Sequence, residues 1–161
     1  MPRLPVGPLF WRIENFRMLA QARAAAGPWA LATQVAGKVW LFTLGPAGGS
    51  SKGGVKVAEV GPIVRVSASR YLLRINLASG PPGTRTTVHT HAGSEAFFVL
   101  RGEQTIRSPH GIQRVSKGQP EPGHGPGMPM QVLSTGSTDL EALVMFVVDA
   151  NKPFSSPAVF P

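Results

Sequence analysis

The sequence predicts an all-β domain in which two antiparallel sheets roll into a barrel. Three observations carry that expectation. Glycine and proline contribute 19 and 16 of the 161 residues, which favours short strands joined by many turns over a helical bundle. Short apolar runs follow one another closely after residue 54. Two of those runs, EAFFVLRG and LEALVMFVVDA, are apolar at both parities, as strands covered on both faces are.

The elements read as follows. Residues 1–25 carry Arg3, Arg12, Arg17 and Arg23 among apolar residues, and ENFRMLAQARAAA has the pattern of a short amphipathic helix. Residues 38–44 read as a strand that covers a sheet edge or exchanges with a partner chain. PAGGSSKGG, residues 46–54, has the composition of a flexible linker. The predicted organisation is therefore an N-terminal extension with its linker over 1–54, a barrel over 55–150 and a Pro-rich tail over 151–161. VKVAEV, PIVRVSA and YLLRINLA open the barrel as strands. In the last, Tyr71, Leu73, Ile75 and Leu77 share one face and Leu72, Arg74 and Asn76 the other. EQTIRS and GIQRVS flank Ser108-Pro109-His110-Gly111 as a hairpin, with His110 solvated at its turn. The tail, NKPFSSPAVFP, is expected to lie extended on the surface, and no internal repeat is visible. Together these strands suggest the jelly-roll arrangement.

The string TVHTHAGSEAFFVLRGE holds the chemistry. His89 and His91 are one residue apart on a β-prone stretch, so their side chains share a face. The turn AGS then brings Glu95 back beside His91. Two imidazoles and a carboxylate converging on one point are a ligand set for a divalent transition metal.

The formal charge is +8, from 16 Lys and Arg against 8 Asp and Glu. The basic residues are scattered rather than clustered with exposed aromatics, so the charge reads as a solvated surface and no nucleic-acid partner is expected. Arg101 shares strand parity with Glu95, which makes it a candidate to face the interior and bind an anionic substrate. The chain has no cysteine, which excludes disulfides, thiolate metal sites and a cysteine nucleophile. No Ser-His-Asp set, paired carboxylates or phosphate loop is visible, since Ser50 and Lys52 lack the spacing of the latter. Ala30-Leu31-Ala32 is similar to a signal-peptidase site, but Glu14, Gln21 and Arg23 interrupt the apolar stretch before it. Residues 28–45 are too short and too polar for a membrane span. A cytoplasmic location is expected, with a periplasmic one as the alternative.

Gly83, five residues, His89-x-His91, three residues, Glu95, six residues and Gly102 resemble the first motif of the cupin superfamily with no departure in spacing. The candidate second motif is residues 118–134, GQPEPGHGPGMPMQVLS, in which Gly127 and Pro129 sit as in the family's turn. It departs in three ways. Met130 stands where the family has a histidine, Ser134 stands where it has an asparagine, and the spacing back to Gly118 is one residue too long. The resemblance covers residues 55–150.

The resemblance implies a double-stranded β-helix barrel with a metal inside, a small-molecule substrate and a homodimer. Trp29, Trp40 and Phe42 of the N-terminal segment are the candidate interface, or else pack on the chain's own barrel. With Met130 in place of a fourth ligand, His89, His91 and Glu95 leave coordination positions open, the arrangement of non-haem Fe(II) oxygenases. Mn(II), Ni(II) or Zn(II) would instead support isomerase or lyase chemistry as a Lewis acid. Met130 reads either as a space-filling side chain or as a soft thioether ligand that would favour copper. His124, in a loop rich in glycine and proline, is a further candidate ligand. Gln131 joins Arg101 and His124 as a candidate substrate group. The functional expectation is a metal-dependent small-molecule enzyme, an oxygenase or dioxygenase. The alternative is a binding or sensing barrel whose metal is structural or absent.

Overall fold

A computed structural model describes residues 1–161. The chain opens with β1 (Leu9–Phe16), α1 (Leu19–Ala25), β2 (Ala30–Val35) and β3 (Lys38–Gly45). With β4 (Val55–Ile63) these strands form a four-stranded antiparallel sheet in the order β2-β3-β1-β4. Sequence periodicity had suggested a helix from Glu14 onward. The structure instead runs β1 through Phe16 and leaves only Leu19–Ala25 helical. Pairing on both sides, with β3 and β4, satisfies the β1 backbone and overrides local helix preference.

The barrel strands are β5 (Tyr71–Gly80), β6 (His89–His91), β7 (Gly93–Arg101), β8 (Glu103–Ser108), β9 (Gly111–Ser116), β10 (Pro120–His124), β11 (Gln131–Ser134) and β12 (Leu140–Asp149), followed by β13 (Ser155–Pro157) in the tail. One sheet has the order β10-β7-β12-β5. The facing strands are β11-β8-β9 and β13-β6, linked by bridges between His89 and Met130 and between Arg85 and Leu133. From β5 to β12 the chain passes back and forth between the two sheets, interrupted only by the β8–β9 hairpin. That interleaving is the jelly-roll, double-stranded β-helix topology. The residues expected to form the Ser108–Gly111 turn close that hairpin. The run PIVRVSA is a strand only as far as Ile63. Beyond it, the Arg65 guanidinium donates to the carbonyls of Pro5 and Gly7, which ties this stretch to the N-terminus.

Both faces of β7 and β12 are covered, as their composition implies. Phe97, Val99, Val144, Phe146 and Val148 face the barrel interior and pack with Ile106, Val115 and Met130. Ala96, Phe98, Leu143, Met145 and Val147 face outward, against Trp11, Ile13, Trp40, Phe42 and Leu44 of the N-terminal sheet. The molecule is thus three sheets deep, and the larger apolar cluster lies between the N-terminal sheet and the barrel. At roughly 1.5–3 kcal/mol for each large buried apolar side chain, this contact stabilises the barrel rather than decorating it.

Trp40 and Phe42 are accordingly core residues, 2% and 0% exposed, and packing on the chain's own barrel is the outcome for these candidate interface aromatics. The division drawn at residue 54 falls between β3 and β4, two strands that both pair with β1. The Gly/Ser stretch joining them is held down. Buried Glu14 accepts from the Ser51 amide at 2.7 Å, the Ser51 hydroxyl at 2.8 Å and Arg12 Nε at 3.1 Å. The Gly48 amide donates to Glu59. No helix is long and apolar enough to cross a membrane.

Candidate metal centre

Glu95 lies on β7 with the parity of Phe97 and Val99, so it points into the barrel. It is 4% exposed. His89 and His91 lie on β6 and meet edge to face, with ring centroids 4.9 Å apart. Gly93 and its neighbours turn the chain from β6 into β7, and His91 Nε2 comes to 3.7 Å from Glu95 Oε2. The sequence-predicted neighbours are therefore neighbours in space.

The hydrogen bonds fix the tautomer of each ring. His89 Nδ1 is 2.8 Å from the Thr87 carbonyl, and His91 Nδ1 is 2.8 Å from the Phe154 carbonyl. A carbonyl can only accept, so in each ring Nδ1 carries the proton and the neutral form keeps its lone pair on Nε2. Glu95 Oε1 is buried and has no hydrogen-bond partner, a costly state for a carboxylate. Two donors held by one metal ion at about 2.1 Å stand roughly 3.0–3.6 Å apart, slightly closer than His91 Nε2 and Glu95 Oε2 are here. The donor types and the orphaned oxygen fit a divalent metal. As placed, however, the side chains do not gather three His or carboxylate groups closely enough to hold one.

Burial sets the electrostatics. It pushes the Glu95 carboxyl up from 4.5 to about 8. It holds His91 below the usual imidazole range, helped by His89 and Arg74 and opposed by the hydrogen bond to Phe154. His124 is also lowered, chiefly by burial, with His110 adding and Glu121 opposing.

The other candidates divide. His124 is the direct cross-strand partner of Glu95. It arrives there through a bulge between Glu121 and His124, where Gly123 has φ +67° and a Cβ would stand 2.0 Å from the Glu95 carbonyl oxygen. Only glycine permits this approach. His124 also lines a cavity of about 250 Å³ with Ile106, His110 and Gln113. Met130 exchanges both backbone hydrogen bonds with His89 at 2.9 Å, and its side chain is buried in the interior apolar cluster. It fills space beside the histidine.

Arg101 and Gln131 do not reach the centre. Arg101 is exposed at the end of β7, just before Gly102 turns the chain into β8 at φ +75°. Gln131 follows inward-facing Met130, so it faces the other way. Its amide donates to the Thr86 carbonyl at 2.9 Å, and its oxygen accepts from Arg107 at 3.2 Å. The arginine that does approach is Arg74. It pairs with Phe146 across β5 and β12, and its guanidinium lies 4.2 Å from the Phe154 ring centroid.

Two contributors were missed at the level of sequence. Phe154 packs on His91 and Phe146 at centroid distances of 4.7 and 4.8 Å, and Phe146 itself lies 4.9 Å from His91. Strand parity could have found Phe146. Nothing in the Pro-rich tail signalled Phe154, because β13 reaches β6 only in three dimensions.

No protein-family model matches the chain, and no curated protein does. Solved structures do. The chain is similar to the DMSP lyase DddQ from Ruegeria pomeroyi at 24% identity and TM-score 0.47, over 53% of this chain and 43% of the lyase. It therefore spans less than half of that protein's length. It is similar to a cupin superfamily protein from Desulfitobacterium hafniense at 14% identity and TM-score 0.42, over 53% of this chain and 84% of the other. A salicylate 1,2-dioxygenase from Pseudoaminobacter salicylatoxidans matches at 18% identity and TM-score 0.38, over 46% of this chain and 20% of the enzyme. The interleaved sheets give the chain a double-stranded β-helix fold, and the motif that runs from Gly83 to Gly102 resembles the first motif of the cupin superfamily.

Proposed function

We propose that this chain is a cupin and a metal-dependent enzyme acting on a small organic anion, and that its chemistry is that of a non-haem oxygenase. One observation carries the reading: a buried carboxylate oxygen, Glu95 Oε1, without a partner, on a side chain whose other oxygen lies 3.7 Å from His91 Nε2, with His91 edge to face on His89 and both Nδ1 protons already committed to carbonyls. A cation offers that oxygen what no protein group supplies. His89, His91 and Glu95 would hold the metal, with His124 next to Glu95 as the candidate fourth group. Fe(II) there supplies redox chemistry and open coordination positions; Mn(II), Ni(II), Zn(II) or Cu(II) in the same set would redirect it.

The chain's own groups then have defined work. The carbonyls of Thr87 and Phe154 orient the two rings. Phe146 and Phe154 wall the centre with apolar surface and exclude water from it. Arg74, stacked on Phe154, has no carboxylate partner; it donates from Nε to Asn76 at 2.8 Å, which leaves its terminal nitrogens for an oxyanion. Arg74 replaces Arg101 as the substrate-binding arginine.

A second reading, a ligand-binding barrel without turnover, draws on Met130 standing in place of a further ligand and on the absence of three gathered ligands.

Elemental analysis of protein purified without chelators or a metal-affinity column tests the proposal, beside a His89→Ala/His91→Ala variant. Near-stoichiometric iron in the parent and none in the variant is the expected result, followed by O₂ uptake with enolisable or catechol-like anions. Copper would bring Met130 forward as a ligand. No metal in either, even after anaerobic reconstitution, leaves the binding barrel as the reading.

A further inference from the structure

The tail lies extended and exposed on the surface, and it also pairs as a strand with β6. Ser155, Ser156 and Pro157 pair with His91, Thr90 and His89, so β13 lies along the whole of β6. The Ala158 amide continues the contact by donating to the Val88 carbonyl at 3.1 Å. β13 itself is exposed and packs no core. Its pairing therefore contributes little burial, and what it does deliver is placement. Phe154, immediately before β13, sets its carbonyl 2.8 Å from His91 Nδ1 and its ring against His91, Phe146 and Arg74. His91 has no other hydrogen-bond partner at that nitrogen. Sixty-three residues of sequence separate the two groups, so only the docked tail brings them together.

We infer that residues 154–157 are a positioning element of the site: the Phe154 main-chain carbonyl locks His91 in the Nδ1–H tautomer and aims Nε2 at Glu95, and the Phe154 ring holds the imidazole plane. The carbonyl acts through His91 rather than on a substrate, so Phe154 is a positioning residue. The tautomer lock stands on the hydrogen bond alone. Its consequence for metal affinity rests on the reading of His91 as a ligand.

The test is ¹⁵N NMR of histidine-labelled protein, in which long-range ¹H–¹⁵N correlations show which His91 nitrogen carries the proton. The full chain, without metal, is expected to hold His91 as Nδ1–H. Phe154→Ala keeps the carbonyl and should keep that tautomer. A variant ending at Pro153 should show both tautomers and bind Zn(II) roughly 10–100-fold more weakly, the cost of losing a ligand's supporting partner. Nε2–H in the full chain overturns the inference, and so does an undisturbed Nδ1–H tautomer in the folded shortened variant. If that variant does not fold, the His91 Nδ1 proton of the full chain decides: slow exchange with solvent supports the lock, and fast exchange overturns it. Absence of Zn(II) uptake by the full chain would count against the metal reading alone, because the tautomer is read without metal.

Discussion

His91 Nε2 faces Glu95 Oε2 across 3.7 Å, too far for a hydrogen bond, while the other oxygen of Glu95 is buried without a partner. Apolar neighbours on β12 and the tail keep water from this gap. Such a pair is poor for stability and good for holding a cation, since burial raises the cost of an unpaired charge and the value of a paired one.

Glu95→Gln therefore separates fold from chemistry. The amide is nearly isosteric, so the thermal transition should be kept or raised. Metal affinity should fall by more than the roughly 10–100-fold that loss of a supporting partner costs, as measured by titration with Zn(II) or anaerobic Fe(II).

The same residue sets a pH dependence. Its carboxyl titrates at about 8 in the folded chain, against 4.5 for an unperturbed group. The unfolded chain thus gives up this proton first. In metal-free protein the stabilising contribution is full below pH 4.5 and is lost as pH rises through about 8. Metal must displace the proton, so affinity should rise with pH up to about 8 and then level. Thermal melts between pH 5 and 9 on the parent and on Glu95→Gln check the sign, because the slope due to Glu95 should vanish in the variant.

Arg74→Gln should weaken binding of a carboxylate substrate or inhibitor about tenfold or more, in line with loss of a charge-assisted hydrogen bond of roughly 1.5–3 kcal/mol. Arg74→Lys should restore little, because a lysine offers no bidentate fork. Arg101→Gln should leave binding unchanged. Calorimetric titration of the three variants distinguishes the two arginines.

Glu14 is fully buried and holds both Arg12 and Ser51. Glu14→Ala leaves the Ser51 amide and the Arg12 guanidinium without their acceptor. A loss of about 3 kcal/mol is expected, with the 46–54 connection becoming susceptible to protease. Urea unfolding and limited proteolysis read the two effects.

A chain beginning at Val55 should be insoluble or aggregated. It would uncover Leu73, Ala96, Phe98, Leu143, Met145 and Val147 together, a contiguous apolar face on the barrel sheet. Phe42→Ala in the full chain makes the same point more gently, at about 3–5 kcal/mol.

What the sequence by itself determined is the barrel and the closeness of His91 to Glu95 and to His89. Period-2 and doubly apolar strands are local patterns, and His89, His91 and Glu95 lie within seven residues, so spacing alone placed them near one another, although β6 and β7 belong to different sheets and meet at a corner rather than as the hairpin the AGS turn suggested. The hairpin turn at His110 was legible for the same reason. What the tertiary structure decided is everything that depends on distant strands meeting. Trp40 and Phe42 became core because the N-terminal sheet stacks on β7 and β12. Arg74 rather than Arg101 approaches the histidines because β5 pairs with β12 and places Arg74 opposite Phe146. Gly123 sets His124 beside Glu95 through a bulge whose register no composition reveals. Phe154 orients His91 because the tail adds a strand to β6. Each of these is a long-range pairing, chosen by the summed packing of whole sheets rather than by the preferences of the residues that meet.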